Sequence, residues 1–253
     1  MLVVLAIVAG AGGWSGHVLA LPLAFAFPAL WAISPSRLVA AAVSAGYFLA
    51  ASRGLPHGVA TFYASDLWPG AMLWIGASLS FVVVHAALWT KHPGRGRAVR
   101  YLAAAMLMAV PPFGIVGWAH PITAAGIVLP ESGWWGLAAA AIGLLVMTTR
   151  GWPIATLVLG GLYLWSTATW TPPDVPNGWV GVDTKFRGES GHYADYAQQH
   201  ETIEMVKAAA RDGAKTVILP ESAAGIWTPT VERLWLHELA GLDVTVNVGA
   251  IVV

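Results

Sequence analysis

Thr171-Pro172-Pro173-Asp174-Val175-Pro176-Asn177-Gly178 divides this chain in two. Its prolines remove backbone N–H donors and fix φ, and Asn-Gly favours a turn, so neither a helix nor a strand should run through it. The charge changes across it. Residues 1–170 hold 7 basic and 2 acidic side chains, a net of +5, whereas residues 171–253 hold 6 basic and 11 acidic ones, a net of −5. The whole chain is 57% hydrophobic and 10% charged, with a mean hydropathy of +0.65. Soluble domains are about a quarter charged. That much apolar surface excludes a disordered chain, and 13 basic against 13 acidic side chains argue against a strongly basic nucleic-acid binder. The chain has no cysteine, which removes disulfides, thiolate metal sites and a thiol nucleophile. The chain thus reads as three parts: a membrane domain over 1–170, a Pro-rich linker over 171–178 and a water-facing domain over 179–253.

Apolar runs fall at 2–13, 18–33, 38–52, 67–89, 101–118, 133–149 and 152–170. A helix needs roughly 20 apolar residues to cross a bilayer core. The last four runs meet that length. The first three are short, and Pro22 and Pro28 interrupt the second; they read as tilted or broken helices, or as one hairpin. About seven spans is the expectation. No Lys or Arg precedes the first run, which argues against a cleaved signal peptide. Trp14, Trp31, Trp68, Trp89, Trp118, Trp134, Trp135, Trp152 and Trp170 lie near the ends of these runs, as an interfacial belt requires.

With the N-terminus inside, the inner loops hold Arg37, Lys91, Arg95, Arg97, Arg100 and Arg150, and the outer loops hold Arg53. Basic side chains in short loops stay cytoplasmic, so residues after 170 are expected outside the cytoplasm. The run Lys91–Arg97 also reads as a lipid-headgroup patch, although the topogenic reading is the simpler one. His85, near the inner end of its run, suits either a proton relay or, more simply, a hydrogen bond to a neighbouring helix. Pro111-Pro112-Phe113-Gly114 should break the fifth run, and Gly12-x-x-x-Gly16 permits close helix approach. No row of intramembrane acids and bases supports a pump or exchanger.

In the second part, Trp179–Val182, Thr216–Leu219 and Val244–Val253 read as strands. A helix over about 194–211 carries Tyr196, Ile203, Val206 and Ala210 on one face. A second helix opens at Thr228-Pro229, with Thr228 as its cap, and runs to Gly241. Strands alternating with helices predict a parallel sheet with crossover connections, and functional residues then gather past the strands' carboxyl ends. Glu221, directly after Leu219-Pro220, holds that position. The alternative is an ordinary exposed loop acid. Val128-Leu129-Pro130-Glu131-Ser132 nearly copies Ile218–Ser222 but lacks the β-α context, and is read as coincidence.

The membrane part, the linker, Gly181-Val182-Asp183 and Thr216–Ala223 together resemble apolipoprotein N-acyltransferase, a membrane member of the carbon-nitrogen hydrolase (nitrilase) superfamily. Gly13–His17, Pro111–Pro121 and Trp227–Trp235 resemble a plasmid-encoded conjugal-transfer branch of the same family. The resemblance implies an α-β-β-α sandwich and a Glu-Lys-Cys triad, in which the glutamate takes the thiol proton and the lysine stabilises the developing oxyanion. Glu221 matches the glutamate. No residue matches the lysine motif, and there is no cysteine. The fold class expected is thus a multi-span α-helical membrane domain followed by an incomplete, truncated nitrilase-like α/β domain. Glu221 should project into a cleft, partly withdrawn from water. No cofactor and no metal are called for. The partners implied are membrane lipid, a phospholipid acyl donor, a protein or small-amine acceptor and conjugation machinery, without direct nucleic-acid contact. Three function classes stand: an acyltransferase-type enzyme, a non-catalytic membrane component of a conjugation system, and a small-molecule transporter.

Overall fold

The computed structural model describes residues 1–63, 65–111, 113, 119–171, 174–184, 192–221 and 223–252. Two units emerge: Met1–Gly58 with Asp66–Thr171, and Val59–Ser65 with Pro172–Val253.

The first unit is helical: α1 (Leu2–Gly13), a 3-10 stretch (Val18–Phe25), α2 (Ala26–Ala32), α3 (Arg37–Ala51), the start of α4 (Leu55–Tyr63), α5 (Leu67–Leu88), α6 (Arg95–Ala109), a 3-10 turn (Pro121–Ala124), α7 (Ala125–Val128), α8 (Gly133–Met147) and α9 (Trp152–Thr169). Proline explains the broken second run. Pro22 lies inside the 3-10 stretch, and α2 begins only at Ala26. Among the described residues α5 alone is long and apolar enough to cross a bilayer by itself, while α3 and α4, bent by 40°, meet the criterion together. The runs at 101–118 and 133–149 are shorter as helices than as text. Arg95, Arg97 and Arg100 are good helix formers, so α6 starts six residues early and stops at Ala109. α8 has 15 residues, about 22 Å of rise against a core of about 30 Å. Most of Pro111–Trp118, including the expected Pro-Pro break, lies outside the described residues.

α1 and α3 pack through glycine, at positions other than those expected. A Cβ on Gly10 would collide with the Tyr47 carbonyl, and one on Gly46 would meet Ile7 Cγ1 at 3.1 Å, whereas nothing lies within 4 Å of Gly16. Around this seam Phe27, Trp31, Tyr47, Phe48, Phe81 and Tyr101 are buried. The rings of Phe27, Trp31, Phe48 and Tyr101 lie around the imidazole of His85, with Phe27 and Phe48 each 5.2 Å from it, centroid to centroid. His85 Nδ1 lies 2.8 Å from the Phe81 carbonyl of its own helix. Trp31 is fully buried and donates to the His85 carbonyl at 3.0 Å; Trp89 is also buried. Those two belong to the core and not to a belt. Trp134, Trp135 and Trp165 are 84%, 86% and 71% exposed, among many large apolar side chains on the outer faces of α5, α8 and α9.

The second unit holds β1 (Trp179–Gly181), α10 (His192–Arg211), β2 (Thr216–Ile218), β3 (Ile226–Trp227), α11 (Pro229–Glu238), β4 (Thr245–Asn247) and β5 (Ile251–Val252). Strands β1, β2 and β4 form a parallel sheet in that order, with Val180, Val217 and Val246 in register. Parallel neighbours need long crossovers, which α10 and α11 supply. Thr228 caps α11 by accepting from the Val231 N–H at 3.3 Å. The expected long third strand is split. After Asn247 the Gly249 carbonyl accepts from Ala224 N–H instead of continuing along β2, and β5 pairs in parallel with β3. The buried stripe of α10 is Gln199, Thr202, Ile203 and Val206; Tyr196, expected on that face, is exposed.

Candidate functional site

The carboxyl edge of the sheet is assembled by backbone pairing that outlasts the strands themselves. Val182 N–H donates to the Ile218 carbonyl at 2.9 Å, and Leu219 N–H donates to the Asn247 carbonyl at 2.9 Å. Pro220 then ends the strand. Its carbonyl accepts from Ala223 N–H at 3.2 Å, forming a tight turn with Glu221 at its tip. The far side of the turn is anchored to the β4–β5 connection. Ala224 N–H donates to the Gly249 carbonyl at 3.1 Å, and Ile251 N–H donates to the Gly225 carbonyl at 2.7 Å. Ala223 and Ala224 are fully buried, so their small side chains let the turn lie flat on the core.

One side chain unrecognised in the sequence completes this anchoring. Gln199 on α10 is buried; its Nε2 donates to the Ala224 carbonyl at 2.6 Å, and its Oε1 accepts from Trp235 Nε1 of α11 at 2.7 Å. A single amide thus ties both helices to the turn. A buried polar group is tolerated only when it is paired. Its spacing, four residues ahead of Ile203 and so on the same helix face, was the available signal.

Glu221 stands exposed at the tip and, among the described residues, makes no side-chain hydrogen bond or ion pair. This corrects the expectation of a carboxylate partly withdrawn into a cleft. Desolvation would require a covering surface, and the described residues of this unit place none over the turn. Ser222 lies outside the described residues, and Asp183 beyond β1 is exposed. The look-alike Glu131 has another context. It follows the short helix α7 rather than a strand, and adopts φ +59°.

The charged residues away from the turn fasten the helices. Lys207 of α10 bridges Glu204 at 2.9 Å and Glu238 of α11 at 2.6 Å; Lys215 meets Asp243 at 2.6 Å. Hydrogen bonding to Lys207 holds the Glu204 and Glu238 carboxyls below the usual carboxylate range, and Lys215 does the same to Asp243. Among the described residues no group of three or more His, Asp or Glu side chains is placed to hold a metal ion. Within the helical unit, an apolar cavity of about 870 Å³ opens between α1, the Val18–Phe25 stretch, α2 and α9, walled by Leu5, Leu23, Leu30, Trp152, Leu159 and Tyr163. Ligand pockets commonly measure roughly 300–1,000 Å³.

Comparison with known proteins gives consistent matches. Residues 49–193 match the carbon-nitrogen hydrolase family, a stretch that runs from the end of α3 to the start of α10 and stops ahead of β2 and Glu221. The chain is 56% identical to the conjugal transfer protein TraB of Agrobacterium fabrum over 263 aligned residues, covering 100% of this chain and 62% of that protein. It is 54% identical to a probable conjugal transfer protein TraB of Sinorhizobium fredii over 250 residues, covering 99% of this chain and 64% of that protein. An uncharacterized protein from outside the virF region of Agrobacterium tumefaciens is 59% identical over 80 residues, or 32% of this chain. The chain therefore spans a little under two thirds of the length of the two TraB proteins. No solved structure matches it significantly.

Proposed function

Because this chain belongs to the carbon-nitrogen hydrolase family, we propose that it is a membrane-integrated, acyltransferase-like member serving plasmid conjugal transfer at the bacterial inner membrane. The observation that carries the conjugal role is 56% identity to a TraB protein, over all of this chain and 62% of that protein. In this reading the helical unit is a multi-span membrane domain of about seven spans. The exposed apolar faces of α5, α8 and α9 support it, since Trp134, Trp135 and Leu157 are each more than three-quarters exposed and would be costly to leave in water. The six-to-one excess of basic residues in inner loops supports a periplasmic α/β unit.

Glu221 is the general base of the acyl-transfer step, taking the proton from the attacking nucleophile at the carboxyl edge of β2. The turn geometry supports that role: a side chain held at the tip of a rigid, doubly anchored loop is free to meet a group brought by another part of the whole protein. A phospholipid acyl donor fits the 870 Å³ apolar cavity, and a protein or small amine is the acceptor. Conjugation machinery is the partner class. A second reading, a non-catalytic membrane component of the same system, is favoured by the absence of cysteine from all 253 residues.

A reporter fused after Gly178 tests the membrane reading. Activity confined to a periplasmic reporter is expected, and a reporter active only in the cytoplasm contradicts it. Deleting the coding sequence from its plasmid tests the conjugal role: transfer should fall, and transfer at the undiminished frequency contradicts it.

A further inference from the structure

The α5–α6 connection is more organised than an orientation signal needs to be. A topogenic loop acts through its count of Lys and Arg and requires no particular folded arrangement. Here the backbone leaves the helix at Trp89 in an extended conformation, Gly94 adopts φ +115°, and Arg97 Nη2 donates to the Lys91 carbonyl at 3.1 Å. Lys91 is thereby folded back beside the first turn of α6. Arg97 Nε is buried without a protein acceptor. Lys91, Arg95 and Arg100 are exposed, and among the described residues none of the four cations enters an ion pair. Residues 1–170 contain two acidic side chains, and Asp66, at the opposite end of α5, is roughly 33 Å away along a 22-residue helix.

The side chains next along α6 fix the class of partner. Its second and third turns expose Val99 at 63%, Leu102 at 42% and Met106 at 60%. A cationic cluster that passes directly into exposed apolar side chains is the pattern of a helix seated between headgroups and acyl chains. Lys91 lies three residues past the end of α5, within about 10 Å of that helix end even if fully extended. A nucleic acid or an acidic protein segment would use the cations but leave Val99, Leu102 and Met106 in water.

We propose that Lys91, Arg95, Arg97 and Arg100 form a binding surface for the phosphate headgroups of anionic phospholipids at the cytoplasmic face, with α6 lying partly in the interface. The phosphate oxygens meet the exposed ammonium and guanidinium groups, and the apolar turn beyond receives the upper acyl chain. This rests on the membrane reading above.

The full chain is incorporated into nanodiscs of phosphatidylcholine with or without phosphatidylglycerol, and lipid retained after detergent extraction is counted by native mass spectrometry. The wild-type chain should retain phosphatidylglycerol preferentially. A triple variant, Lys91→Gln/Arg95→Gln/Arg100→Gln, spares the structural Arg97 contact and should lose at least about tenfold of that preference, since each cation near an anionic surface contributes on the order of a full kcal/mol. Arg150→Gln, a single exposed cation between α8 and α9, should leave it unchanged. Equal phosphatidylglycerol retention by the wild type and the triple variant, with both entering the nanodiscs, overturns the headgroup surface alone. A duplex DNA probe that binds the wild type but not the triple variant, without any lipid preference, overturns it in favour of nucleic acid. Failure of the wild type to enter either nanodisc overturns the membrane reading with it.

Discussion

Replacing Gln199 by leucine should loosen the turn that carries Glu221 while leaving the apolar core filled. Two hydrogen bonds are lost, the 2.6 Å bond to the Ala224 carbonyl and the 2.7 Å bond from Trp235 Nε1. Trp235 is 4% exposed, so its stranded N–H finds no water. Each buried group left unpaired costs about 1–3 kcal/mol, and together the pair costs about 2–6 kcal/mol. That corresponds to local opening that is roughly 30- to 20,000-fold more favourable. Hydrogen exchange on the full chain reads this directly at Leu219 and Ala224, whose N–H groups bond to the Asn247 and Gly249 carbonyls. The double variant Gln199→Leu/Trp235→Phe should be less harmful than the sum of its parts, because the second change removes the N–H that the first left unpaired. Wild-type exchange at both amides in Gln199→Leu, or strict additivity in the double variant, would refute the anchoring role.

Gly10→Val should disrupt the α1–α3 seam, because its side chain meets the Tyr47 backbone carbonyl, which cannot step aside; a loss of about 1–3 kcal/mol or more is expected from thermal unfolding in detergent. Gly16→Ala meets no neighbour and should cost only the strain of φ +91°, about 1–2 kcal/mol, so a Gly16→Ala penalty larger than that of Gly10→Val contradicts the seam. The lowered carboxyls of Glu204 and Glu238 stabilise the fold above the ordinary carboxylate range of about 4, and that stabilisation is lost as pH falls through their lower folded values. The same bonds raise Lys207, whose contribution is present below its unfolded value and lost only as pH rises through the folded one. Lys207→Met should therefore flatten the acid limb of α10 protection measured by hydrogen exchange, and an unchanged acid limb would count against the bridge.

The β-α-β rhythm of the second unit was legible because each strand is a short β-branched run stopped by proline, glycine or a cap. Thr228 and Pro229 mark the start of α11 for that reason. The split of the third strand was not legible. It depends on which partner Gly249 and Ile251 find, and that partner, the turn at Ala224–Gly225, is distant in sequence. Tryptophan at a run's end is a poor guide to whether it faces lipid or core: Trp31 and Trp89 look interfacial as text, yet both are buried in the fold. Glu221 could be picked out by its place after a strand, but its exposure could not, since burial depends on elements beyond its own loop. Gln199 was hidden because a polar residue on a helix face looks like surface until the carbonyl it serves is seen.

Conjugation frequency is the most direct readout of the central claim, that Glu221 is the working carboxylate of a conjugal-transfer protein of this family. Glu221→Gln keeps the shape of the side chain and, because Glu221 is exposed and unpaired among the described residues, should leave folding and membrane insertion intact. Mating assays should show transfer reduced to the level of the deletion, while Glu131→Gln, in the near-copy after α7, transfers at the wild-type frequency. Wild-type transfer by Glu221→Gln, with the protein present in the membrane at normal abundance, would contradict the account.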